Sequence, residues 1–241
     1  MSSRDGSSTR RQLMRSAAAA SAALIAGCTG SNNHRAVATA ANEPHEEEEV
    51  SPSEDLMREH GLLERILLVY EESVARLDSG RDLQPGVLVG AAAIVRQFVE
   101  DYHEKLEEDF VFPRLERARK LAELVATLRT QHQAGRRLTD VIARLATKTT
   151  IAAEASRREL TTALRAFIRM YRPHAAREDT VLFPAFREVV SKREYAELGE
   201  QFEHKEHELF GEQGFTGMVD AVAKLERELG IADLASFTPS A

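Results

Sequence analysis

The chain has 241 residues, 43% of them hydrophobic and 29% charged, which is enough for one ordinary soluble domain plus a tail. Its 13 glycines and 7 prolines are few beside abundant Ala, Leu, Glu and Arg, so helices are favoured over strands. A formal net charge of −7 argues against nucleic acid as a partner, because binding a phosphate backbone needs concentrated basic surface.

The first segment reads as an address, not as fold. Thr9-Arg10-Arg11-Gln12-Leu13-Met14-Arg15 is basic, and an apolar run from Ala17 to Ala26 follows, broken only by Ser21. That run is too short to cross a bilayer and has the charge-then-apolar order of an export signal. The arginine pair resembles the twin-arginine signal, which exports folded proteins. Leu24-Ile25-Ala26-Gly27-Cys28 resembles the lipobox of bacterial lipoproteins. That resemblance implies a signal over residues 1–28, acylation of Cys28, and a lipid anchor holding the chain at the cell envelope, facing outside the cytoplasm. Cys28 is the only cysteine, so no internal disulfide can form. Residues 29–50 are polar and read as a disordered tether, in which His34 and His45 have no assigned role.

The folded part starts at Ser51-Pro52-Ser53-Glu54, a helix N-terminus signal. A helix over about 53–78 carries Leu56, Leu63, Ile66, Leu67 and Tyr70 at bundle spacing, with His60 on the same stripe. A second, over about 87–111, carries Val89, Ile94, Phe98, Tyr102, His103 and Glu107, and Pro113 is expected to break or kink it. A third, over about 119–147, holds Leu124, Leu128, Leu138, Val141, Ile142 and Leu145, with His132 facing inward. The fourth begins near Ile151, carries Leu160, Leu164, Phe167, Ile168 and Tyr171, is expected to be interrupted at Pro173, and resumes through Phe186. A shorter amphipathic segment over about 191–210 contains His204 and His207; residues 216–229 add a last helix, and 230–241 read as a frayed tail. The fold class is therefore all-α: an antiparallel up-and-down four-helix bundle over 51–230 with an additional short C-terminal helical segment.

One stretch occurs twice, as His103-Glu-Lys-Leu-Glu107-Glu-Asp-Phe-Val-Phe-Pro113 and His174-Ala-Ala-Arg-Glu178-Asp-Thr-Val-Leu-Phe-Pro184, the second 71 residues after the first. On a helix, positions four apart share a face, so each copy aims an imidazole and a carboxylate at one point. His60 and His132 supply one imidazole from each remaining long helix, and at about 1.5 Å rise per residue His60 and His103 fall at similar depth in an antiparallel pair. A single His-x3-Glu pair is ordinarily a surface pair; the doubling and the convergence favour a metal site of His60, His103, Glu107, His132, His174 and Glu178. Imidazoles with carboxylates able to bridge suit iron, zinc or manganese, and two bridging carboxylates favour a two-metal centre, most naturally iron.

With its trailing Phe-Pro, the doubled motif resembles the hemerythrin-like, or HHE cation-binding, family over residues 53–190. The resemblance implies a non-haem di-iron centre with bridging carboxylates, and dioxygen or other small oxidants as the partner. Membership implies His60, His103 with Glu107, His132, and His174 with Glu178 as ligands from helices 1 to 4. Asp179 is the alternative to Glu178, since oxygen-carrying members use a carboxylate five residues after that histidine. Those members also place two histidines four apart on helix 3, whereas here Arg136 follows His132 at that spacing and Leu128 precedes it. Glu104, His204 and His207 are candidates for the vacated place. Three functions are compatible: binding or sensing of an oxidant or handling of iron, a di-iron oxidase or peroxide-consuming enzyme, and a metal-free structural bundle.

Overall fold

The computed structural model describes residues 50–239. The signal, Cys28 and the tether up to residue 49 lie outside the described residues, as do residues 240 and 241.

Helix α1 spans Pro52–Ser79. The Ser51 hydroxyl accepts from the Glu54 N–H, Pro52 opens the first turn where no backbone donor is required, and Gly80 at φ 70° closes the helix in the left-handed conformation. Helix α2 is a continuous rod from Pro85 to Arg117, built of α turns (Pro85–Ile94, Glu104–Leu106, Phe112–Arg117) alternating with π turns (Val95–His103, Glu107–Val111). Helix α3 is Ala122–Leu145, and α4 is a short Lys148–Ala152 connector. Helix α5 runs Glu154–Arg177 and continues through a π turn, Glu178–Leu182, into Phe183–Val189. Helices α6 (Lys192–Phe210) and α7 (Gly214–Leu229) follow.

The long helices form a ring in which α1 and α3 each pack against both α2 and α5, the all-α bundle expected from the periodicity. The extra C-terminal segment has the extent expected: α7 packs on α1 and the first turns of α2, and α6 packs on α7 and α1. The apolar stripe of α1 is fully engaged, with Leu56, Ile66, Leu67 and Tyr70 at 0% exposure. Val89, expected inside, is exposed. Among the described residues no helix is long and apolar enough to cross a membrane.

Two expectations about proline are corrected. Pro113 does not break α2; it stands just after the Glu107–Val111 π turn, where the Phe112 N–H bonds back to the Glu107 carbonyl and the ladder changes register. Pro184 holds the same place after the Phe183 N–H bonds the Glu178 carbonyl. Nor does Pro173 interrupt α5, which runs unbroken to Arg177. Pro173 faces solvent, so water can satisfy the carbonyl that its missing N–H leaves behind.

Candidate metal centre

The doubled motif builds one device twice. In a regular helix, residues five apart point about 140° away from each other at 3.6 residues per turn. The i→i+5 bonding of a π turn brings them onto one face. Glu107 and Phe112 are both fully buried on this account, as are Glu178 and Phe183. Each phenyl ring then stacks on the histidine of the neighbouring helix, Phe112 on His132 at 5.5 Å and Phe183 on His60 at 5.6 Å. The trailing Phe-Pro of the motif is thus a lid over the facing imidazole and the closure of the turn that aims the carboxylate.

His60, His103, Glu107, His132, His174 and Glu178 come together in the bundle core, none more than 4% exposed. Ligand-capable atoms of Glu107, His132, His174 and Glu178 lie within 4.8 Å of one another, and so do those of His60, His103 and Glu107. The carboxylates stand between two pairs of imidazoles. Glu107 Oε1 is 3.7 Å from His103 Nε2 and its Oε2 is 3.4 Å from His132 Nε2. Glu178 Oε2 is 3.4 Å from His60 Nε2 and 3.1 Å from His174 Nε2, and its Oε1 is 3.9 Å from His132 Nε2. Both oxygens of each glutamate and Nε2 of His132 are buried without a hydrogen-bond partner. Buried polar atoms are nearly always paired, and orphans that all face one point fit a cation held among them. Imidazole nitrogen with carboxylate oxygen suits iron, zinc or manganese.

All four rings present Nε2 inward because each Nδ1 is held from outside. His60 Nδ1 is 2.6 Å from Asp179 Oδ1, His103 Nδ1 is 2.6 Å from Glu59 Oε2, His132 Nδ1 is 3.1 Å from Glu108 Oε1, and His174 Nδ1 is 2.8 Å from Gln131 Oε1. An acceptor at Nδ1 fixes the tautomer and leaves the Nε2 lone pair for a metal. Asp179 therefore orients His60 while Glu178 faces the centre. Glu59, Glu108 and Gln131 escaped the sequence reading, yet each is the immediate neighbour of a predicted ligand. They also obey the repeat: Glu59 and Gln131, like His60 and His132, are 72 residues apart, and Glu108 and Asp179, like Glu107 and Glu178, are 71 apart.

The remaining candidates stand outside the six inward-facing residues. Glu104 is buried on the Nδ1 side of His132, in a cluster with Glu108 and His132 able to hold a metal, and it accepts from the Tyr171 hydroxyl at 2.6 Å and pairs with Arg136 at 2.8 Å. Arg136, in the place of a second helix-3 histidine, also pairs with Glu108 at 2.8 Å. His204 and His207 are exposed on α6 and belong to none of the clusters able to hold a metal.

Protons take up part of the charge in the fold as it stands. Burial, and then the facing Glu178, push Glu107 well above the usual carboxylate range. Glu178 goes the other way: burial would raise it, but His174 and His60 hold it well below. His60 rises to about 9 despite its burial, through Asp179 and Glu178. Burial, with charge on His60 adding to it, holds His103 well below its usual value, and the two Nε2 atoms stand 3.0 Å apart. Burial brings His132 to about 4. Burial and then Glu206 lift Glu59 to about 8, a push that a cation on His103 would oppose.

Comparison with known proteins places the chain in a family. The family model for the hemerythrin HHE cation binding domain matches residues 51–186 and, overlapping it, residues 124–230. The overlap covers the α3–α5 half, which carries one copy of the device. Uncharacterized proteins of Mycobacterium bovis and Mycobacterium tuberculosis are each 49% identical over 197 residues, covering 82% of this chain and 77% of theirs. No solved structure matches the chain.

Proposed function

The chain belongs to the hemerythrin HHE cation-binding domain family, and from that premise we propose that it is a non-haem di-iron protein that binds or senses dioxygen or a related small oxidant, or handles iron, at the cell envelope. The observation that carries the reading is the set of buried, partnerless oxygens of Glu107 and Glu178 set between two pairs of inward imidazole nitrogens. His60 with His103 would hold one ion and His132 with His174 the other, with Glu107 and Glu178 shared between them. A pair of irons supplies redox chemistry toward small oxidants. The protein's own part is to fix the four Nε2 atoms, to give up the protons on Glu107 and His60 when cations enter, and to keep water out with Phe112 and Phe183.

The test is optical. Protein loaded with ferrous iron under argon and then exposed to air should develop a ligand-to-iron charge-transfer band that disappears again under argon. An unchanged spectrum contradicts the reading. Arg136 in place of an imidazole leaves two histidines per ion and so a more open centre, which favours a second reading as a peroxide-consuming enzyme. Peroxide turnover lost in Glu107→Ala would select it. The envelope location rests on the basic segment, the apolar run and Cys28, and predicts that Cys28→Ala releases the protein from the membrane fraction.

A further inference from the structure

The two ion positions are matched in their inward donors and unmatched in what stands behind them. Around His60 and His103 both outer acceptors are carboxylates at 2.6 Å, Asp179 and Glu59. Among the described residues, neither forms an ion pair with a lysine or arginine; Arg58 pairs with Asp55 and acts on Glu59 only from a greater distance. Around His132 and His174 the acceptors are a neutral amide and a more distant carboxylate shared with two cations. Gln131, a neutral amide, stands where the repeat places Glu59, and it holds His174 at 2.8 Å. Glu108 holds His132 at the longer distance of 3.1 Å, and its charge is already shared with Arg136 at 2.8 Å and with Lys105.

A carboxylate accepting from Nδ1–H draws that proton away and makes Nε2 a stronger donor; an amide, or a carboxylate already neutralised by a guanidinium, does so less. We propose that this outer ring grades the centre into a tight position at His60 and His103 and a weak, exchangeable position at His132 and His174, with Gln131 and Glu59 as the positioning residues that set the difference. The inference rests on the two-ion reading of the site above. An ion held by His132 and His174 would be the more electrophilic of the two and the more easily exchanged.

The experiment is titration of the metal-free chain with cobalt(II) under argon, followed by absorption and by calorimetry. The wild type should fill in two steps whose affinities differ by about 10- to 100-fold, the size of effect that outer partners of metal-bound histidines have. Repulsion between like ions also separates two steps, so the variants decide. Gln131→Glu should tighten the weaker step and draw the two together, while Glu59→Gln should weaken the tighter step and leave the other in place; repulsion alone would survive both. Should Glu59→Gln fail to fold, Gln131→Glu carries the test by itself. Two steps left unmoved by Gln131→Glu, or a single step of two equal ions in the wild type, overturn the grading and leave the two-ion site standing. A wild type that takes up no cobalt overturns the site itself, and the grading with it.

Discussion

At the scale of the residue, Glu107 and Gly135 separate function from folding. Glu107 is fully buried, lacks a hydrogen-bond partner at either oxygen, and has its carboxyl pushed well above the usual range by that burial. Glu107→Gln keeps its shape and removes a carboxylate that burial disfavours, so the metal-free variant should unfold within about 1 kcal/mol of the wild type by urea titration while losing cation binding. Gly135 is different, because no side chain fits there. A methyl group on it would sit 1.9 Å from the Tyr171 hydroxyl, which is itself committed to Glu104. Gly135→Ala should therefore destabilise the fold by about 1–3 kcal/mol, and Tyr171→Phe in the same chain should recover part of the loss. The inward ligands were legible because their type and spacing repeat. Their outer partners were not, because Glu59, Glu108 and Gln131 look like ordinary helix-surface residues until the neighbouring helix is in place.

At the scale of the element, the π turns explain what the periodicity missed. A pattern read at 3.6 residues per turn puts Phe112 on the wrong face from Glu107 and treats Pro113 as a stop. The i→i+5 turn resolves both, and the sequence carries no separate signal for it beyond the motif itself. Pro113 stands where the ladder already changes register, whereas Pro173 interrupts a regular α stretch on the solvent side. Pro173→Ala should accordingly raise stability by about 1–3 kcal/mol in thermal or urea unfolding, and Pro113→Ala should change it less. The long helices α1, α3 and α5 were placed to within a few residues because their apolar stripes face one core. Helices α6 and α7 were placed as closely, and what the periodicity did not show is where they dock, since their stripe faces the outside of the ring formed by the other helices.

At the scale of the whole molecule, cation binding, protonation and stability are linked. The His60 value of about 9 lies above the ordinary 6.5, so its proton stabilises the metal-free fold fully below pH 6.5, and that contribution is lost as pH rises through 9. A cation competes with that proton and with the one on Glu107. Its affinity should rise with pH across the same window, and loading at pH 7 in weak buffer should release protons. A chelator should lower the melting temperature of the loaded protein, because ions that bind only the folded state stabilise it by mass action. The central claim is that two halves of one chain close a single two-ion centre, and metal analysis after anaerobic loading with ferrous iron tests it most directly. The account predicts about two irons per wild-type chain and none retained in Glu107→Gln. Wild-type protein that keeps its fold and takes up no iron, or a variant that retains both ions, would contradict it.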